Sequence, residues 1–237
     1  TTNASTGKDF ACLRYNSDGT LDSTFGTSGI VTNDVQTGSD DVVYSIAIQA
    51  DGKIILAGYS DDGSNKNAAL IRLNTNGTLD TSFGTSGKVL TDFITGRADE
   101  IKTVKIHSLT GNIIVGGTSS LTSTNSQAVI ARYTSAGLLD TTFNTTGKVL
   151  LANASGTGTY YYVIEDLAVK SNGKISAVGW INQQGLQWSA NYYGCRINNN
   201  GSMDTSFSTN GYIVTNGGFN ADDKSFSMIL NSDDSIL

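Results

Sequence analysis

Proline is absent from all 237 residues, where roughly 5% is usual. Every turn must therefore be made by Gly, Asn, Asp, Ser or Thr. Histidine occurs once, as His107, so a Ser–His–Asp triad has a single candidate base. There are two cysteines, Cys12 and Cys195. Cys195 stands where the other repeats described below have Leu13, Ile71 and Ala131, so the expectation is an apolar slot rather than a disulfide or metal pair. Charge is scarce too: 15% of residues are charged, with a net charge of −6. A chain so poor in Lys and Arg is not built to neutralise phosphates, which argues against nucleic acid and an anionic membrane surface. No apolar run of about 18 residues exists to cross a bilayer as a helix.

What the chain has instead is repetition. "NTNGTLDTSFGTSGKVL" from Asn74 reappears as "NSDGTLDSTFGTSGIV" from Asn16, "TSAGLLDTTFNTTGKVL" from Thr134 and "NNNGSMDTSFSTNGYIV" from Asn198. Asp22, Asp80, Asp140 and Asp204 mark the period, spaced by 58, 60 and 64 residues. A period of this length implies a supersecondary unit that buries its apolar face against its neighbours. One unit reads as four strands: "VYSIAIQ", "KIILAGYS", "AALIRLN" and "KVLTDF". Turns such as Asn76-Gly77 separate them, where Asn and Gly tolerate the positive φ of hairpin loops.

Four short antiparallel strands in about 60 residues describe a propeller blade. Label them a to d from the axis outward. The fold expectation is all-β, a β-propeller of four-stranded antiparallel blades with four blade equivalents. Residues 1–36 supply strands c and d of a first unit, and 37–95, 96–155 and 156–217 three whole blades. Residues 218–237 add strands a and b. The two halves are complementary: either 224–237 pairs laterally with 8–16, or further chain or another subunit covers both edges.

The pattern G-x-L-D-x-[ST]-F-G-x-x-G, together with "DGKIILAG", resembles the delta-60 repeat family of predicted β-propellers across essentially the whole chain. Asn144 and Ser208 depart from it, replacing the glycine after Phe. The resemblance implies a propeller blade and no particular activity, and its members lie in long, often surface-exposed proteins.

Several residue sets are candidates for function. An arginine stands eight positions before each repeat aspartate, giving Arg14 with Asp22, Arg72 with Asp80, Arg132 with Asp140, and Arg196 with Asp204. A guanidinium fork on a carboxylate would pin the long c–d turn. Asn16, Asp18 and Asp22 are a weak calcium candidate, because a fourth acid is missing and Asx turns explain them. Acidic residues recur before strand a, among them Asp41, Asp99 and Asp223, and read as solvated charge at strand ends. The aromatic cluster breaks the repeat. Tyr160, Tyr161 and Tyr162 lie in the longest d–a connection, while Trp180 and Trp188, the only tryptophans, lie in the next b–c connection before Tyr192. Such residues either stack on sugar rings and anchor a partner protein, or fill an irregular blade.

The expected function is a non-catalytic binding module, extracellular or on a cell or virus particle surface. It would recognise glycan or a surface protein through the aromatic loops. The alternative is a purely structural propeller whose contacts are with other subunits of its assembly. No cofactor and no membrane insertion are expected.

Overall fold

A computed structural model describes residues 2–3, 7–122, 125–151, 160–183, 190–216 and 223–237. Sixteen strands and no helix occur among the described residues. After a short hairpin of β1 (Thr2–Asn3) and β2 (Gly7–Lys8), the strands β3 (Phe10–Leu13) and β4 (Ile30–Asn33) form a two-stranded sheet. Three four-stranded antiparallel sheets follow. The first is β5 (Asp40–Ile48), β6 (Ile54–Asp61), β7 (Lys66–Leu73) and β8 (Lys88–Thr91). The second is β9 (Ala98–Ile106), β10 (Ile113–Thr122), β11 (Asn125–Tyr133) and β12 (Lys148–Leu151). The third is β13 (Tyr160–Val169), β14 (Ile175–Gln183), β15 (Ala190–Ile197) and β16 (Tyr212–Thr215). The expected strands a to d are thus found in order, in β-propeller blades.

Period-two alternation explains why the middles of strands b and c are apolar on both faces. Ile54 and Leu56 face a core shared with β3–β4, while Ile55 and Ala57 face a core shared with the second sheet. Likewise Ala69 and Ile71 point one way, and Ala68 and Leu70 the other. A strand buried on both faces has no solvent face for polar residues to alternate onto, so any it carries must find partners inside. A third core joins the second and third sheets, with Ile114 and Ile130 against Ile164 and Leu167.

The glycine of "LAG" has a different origin. Each strand a carries a bulge, with the register shifting between Val43 and Ser45, between Ile101 and Thr103, and between Ile164 and Asp166. The bulge pushes a carbonyl against the opposing strand b. A Cβ on Gly58, Gly117 or Gly179 would stand 1.8, 1.9 and 1.9 Å from the carbonyl oxygens of Val42, Glu100 and Val163. Only glycine fits that approach.

The chain ends differ from one expectation. Residues 224–237 form no strand pairing with residues 8–16. Their hairpin closes on itself through Ile229 and Leu237, whose N–H and C=O groups exchange two bonds of 3.0 Å. It rests on the third sheet, where the Met228 N–H donates to Asp166 at 3.1 Å and Lys170 pairs with Asp234. The hairpin therefore takes the position of the next strand a. On its side away from the second sheet, strand β5 meets only the two short two-stranded sheets among the described residues. Ile46 is accordingly 53% exposed, whereas Val104 and Leu167 at the same repeat position are at 1%.

Gly117→Ala should lower stability by about 3 kcal/mol or more, because a buried backbone must move to admit the methyl. Gly19→Ala, at φ +84° with open space around it, should cost only about 1 kcal/mol. Urea denaturation of the two variants checks this; equal losses would dissociate the conserved spacing of the bulge from the glycine opposite it.

Candidate functional site

The repeated phrase builds a bracket between blades. Arg72, Arg132 and Arg196 sit on strand c and Arg14 just past its end, and the Nε of each donates to the repeat aspartate at 2.7–2.8 Å. The other carboxylate oxygen accepts from the backbone N–H and hydroxyl two residues on, as Asp80 does from Ser82 at 3.1 and 2.7 Å. The guanidinium also lies over the repeat phenylalanine, 4.5–4.9 Å from the ring centre. Its remaining reach crosses to the next blade. Nη1 of Arg14, Arg72 and Arg132 donates to the carbonyls of Thr75, Ser135 and Asn199 at 2.5, 2.5 and 2.6 Å.

A backbone bond runs beside each of these. The N–H groups of Gly26, Gly84 and Asn144 donate to the carbonyls of Asn76, Ala136 and Asn200 at 2.8–2.9 Å. The residue after Phe has positive φ in every repeat: 54° at Gly26, 52° at Gly84, 51° at Asn144 and 57° at Ser208. The departures at Asn144 and Ser208 thus keep the left-handed geometry, which Asn tolerates readily. The glycine of the following turn, in Asn76-Gly77 and in Ala136-Gly137, packs on the same phenylalanine. A Cβ on Gly137 would stand 2.8 Å from the Phe83 ring.

Strand periodicity divides the aromatic cluster. Tyr160 and Tyr162 are buried in the core between the second and third sheets, where Tyr162 meets Tyr193 edge-on at 5.6 Å. They are core residues, not an exposed surface. Tyr161 and Trp180 occupy the other face of the third sheet and stack at 5.4 Å with planes 19° apart. The Trp180 indole N–H donates to Glu165 at 2.9 Å, and the Lys224 ammonium lies 4.6 Å from the ring centre. Tyr192 stands directly opposite Trp180 across the β14–β15 pair and is 41% exposed. Trp188 lies outside the described residues. The sequence pattern placed these residues in connections, but Tyr160–Val169 is a strand, and alternation sends its neighbours to opposite faces.

The weak calcium set does not converge. Asp18 accepts from the Thr20 N–H and hydroxyl at 2.9 and 2.6 Å, and Asp22 is held by Arg14 and Thr24. Asn16 donates its amide to Thr20 Oγ1 at 3.1 Å. All three serve the turn. His107 bridges blades: its Nδ1 meets Thr110 Oγ1 at 2.8 Å and its Nε2 the Ser171 carbonyl at 3.1 Å. Cys12 and Cys195 are free and buried, and burial pushes the Cys195 thiol up to about 12.

Two of the acids before strand a are not solvated. Asp41 and Asp99 are buried, and each accepts a backbone N–H across the d–a loop, from Val35 and Phe93 at 2.6 Å. Sequence reasoning missed this because a charge near a strand end looks the same whether it meets water or a loop amide. The useful signal was the constant spacing of Asp34 to Asp41 and Asp92 to Asp99, which fixes the loop that each closes.

Compared with protein families, the chain matches a model described as a domain of unknown function (DUF5122) beta-propeller. The matched residues are 1–25, 49–83, 110–143 and 170–207. This is the delta-60 type of repeat. Each of the last three matched segments runs from the a–b turn through strands b and c to the repeat phenylalanine. No curated protein matches the chain.

Two predictions follow from these buried charges. Arg72 and Asp80 are 7% and 6% exposed. Asp80→Ala should cost about 1–3 kcal/mol, and Arg72→Ala as much or more, since it also loses the Ser135 carbonyl. The double variant should lose less than the sum, and additive losses in urea unfolding would disprove the coupling.

The second concerns pH. The Lys53 ammonium, with the Ser82 hydroxyl, holds the Asp80 carboxyl well below the usual carboxylate range against burial. Stability from this group is complete above about pH 4 and is lost as pH falls toward the folded value. Asp99 has the opposite sign, because burial raises it to about 6. Its contribution is complete below the unfolded value of about 3.9 and is lost as pH rises through about 6. The stability of the wild type minus that of Asp99→Asn should therefore fall by about 1–3 kcal/mol from pH ~4 to pH ~7. A constant difference across urea titrations would show that Asp99 does not titrate there.

Proposed function

The chain belongs to the DUF5122 beta-propeller family, and from that premise we propose that it is a non-catalytic, extracellular or particle-surface binding module. It takes up glycan or a surface protein on the face that carries Tyr161, Trp180 and Tyr192. The observation behind this reading is that the stack departs from the repeat. Trp180 holds the place of Tyr59 and Thr118, and Tyr192 the place of Ala68 and Ala128. Aromatic rings set among polar groups suit sugar stacking and protein anchoring alike. Glu165 and Lys224 fix the orientation of the indole, which limits the entropy lost on binding. A polar surface with few charges fits such a role outside the cell.

One observation favours the alternative, a structural propeller whose contacts lie within its assembly. Tyr44, Ile46 and Ile48 are 46%, 53% and 68% exposed on β5. An uncovered apolar strand suits a further subunit or further chain.

Tyr192→Ala separates the readings, because an exposed ring can be removed without loss of fold. On a glycan array, and with candidate surface proteins, the wild type should bind. The variant should lose about tenfold or more in affinity. If the wild type binds nothing and light scattering shows it building larger particles, the structural reading replaces the binding one.

A further inference from the structure

We propose that a second copy of the chain docks on β5 with its hairpin of residues 224–237, so that this hairpin and the β3–β4 sheet complete one blade between two copies. The proposal rests on the structural reading above and deepens it by naming the subunit. The repeat shows what covers a strand a. Between the first and second sheets, Ala47 and Ile55 of strands a and b pack in one core with Ile101, Val104 and Ile106 of the next strand a. Ile46 and Ile48 hold the places of Val104 and Ile106. The sheet before them has only strands c and d, β3 and β4, so the covering a–b pair is absent there among the described residues. The same gap uncovers the inner edge of that sheet. Leu13 and Tyr15 are 48% and 59% exposed, whereas Ile71 and Leu73, Ala131 and Tyr133, and Cys195 and Ile197 are all at 1% or less. What β5 and β3 lack is thus one a–b hairpin.

The hairpin of residues 224–237 offers one. Ile229 stands at the place of Ala47, and Leu237 at the place of Ile55 and Ile114. Ile55 and Ile114 are at 1% or less, while Ile229 and Leu237 are 66% and 77% exposed. A large apolar surface left in water on one piece therefore matches the apolar surface left in water on the other. A polar contact fixes the register. Across the first junction the Val104 N–H donates to the Ser45 hydroxyl at 3.1 Å, and across the last the Met228 N–H donates to Asp166 at 3.1 Å. The Ile46 N–H holds the place of those donors, and the exposed Ser227 holds the place of the acceptors Ser45 and Asp166. The Ser227 hydroxyl donates to Asp166 at 3.3 Å, and a hydroxyl that donates can also accept.

A copy cannot use its own hairpin in this arrangement, because the hairpin rests on the third sheet and β5 belongs to the first. A second copy brings the apolar pair and the hydroxyl in the spacing that the interior junctions already use. The two surfaces differ, so the contact is head-to-tail. Each docking leaves one surface of each kind free, and copies add in series until they close a ring or run on as a filament.

Sedimentation velocity of the full chain tests this, at concentrations from about 1 μM to about 100 μM. The wild type should form dimers and longer species as concentration rises. Ile46→Asp and Ile229→Asp each place a charge in the contact, and each should weaken self-association about tenfold or more. Both side chains are exposed, so both variants should keep the wild-type circular dichroism; Ile48→Asp and Leu237→Asp replace either one that does not. The decisive arm mixes the two variants. Each keeps the surface that the other has lost, so the mixture should give a one-to-one dimer and nothing larger, while either variant alone stays monomeric. Tyr192→Ala should assemble as the wild type does, because it lies off the contact. A wild type that is monomeric throughout overturns the proposal. So does assembly that survives either substitution, a result that keeps the structural reading but moves it to another surface. A mixture that fails to pair also overturns it, since a symmetric contact would then hold the copies together.

Discussion

The fold depends on a guanidinium that is shared between two blades. Arg14, Arg72 and Arg132 are each fixed within their own blade by the aspartate and by the phenylalanine ring beneath, and each donates its free nitrogen to a carbonyl of the following turn. Arginine suits this because its planar fork presents several donors in fixed directions, which a lysine ammonium cannot do. The aspartate is needed for the arginine to be tolerated there, since a guanidinium so nearly buried without a partner is strongly unfavourable. Lys53 and Lys174 approach Asp80 and Asp204 from their a–b turns at 2.8 Å. The same carboxylate thus ties the a–b turn to the c–d turn within one blade, while the arginine ties the blade to its successor.

Stacking of this kind is nearly one-dimensional, each sheet touching only the one before and the one after. Its consequences reach the sequence of every strand. Central strands are buried on both faces, so their apolar runs have no polar phase. The inner strand carries the bulge, and the bulge dictates glycine at one position of the strand beside it. The turn after strand c must admit the phenylalanine of the preceding blade, and so carries a glycine facing it. Much of the motif that recurs through the chain is therefore explained by contacts across junctions rather than within a blade.

The fold was legible for that reason. Repetition exposed the period, alternation exposed the strands, and a fixed interval between Arg72 and Asp80 exposed the ion pair. The carbonyl that Arg72 reaches at Ser135 was not legible, because a backbone acceptor leaves no mark on residue type. Burial was misread wherever polar residues close a loop from inside, as at Asp41 and Asp99. The aromatic cluster was half legible: its departure from the repeat was plain, but not the strand that sends Tyr160 and Tyr162 inward and Tyr161 outward. Two neighbours in sequence differ in role there only because a pleat separates them.

In an array built by repetition, the positions that obey the repeat answer to the junction and those that break it are free to answer to something else. The Arg–Asp pairs and His107 resolve into contacts between blades or between turns, and the bulge glycines into contacts between neighbouring strands. One set does not. Around Trp180, rings stand where the other blades have Tyr59 or Thr118 and Ala68 or Ala128, on a face where Lys224 of the following segment lies over the indole. That set is not required by the architecture, since the other junctions form without it.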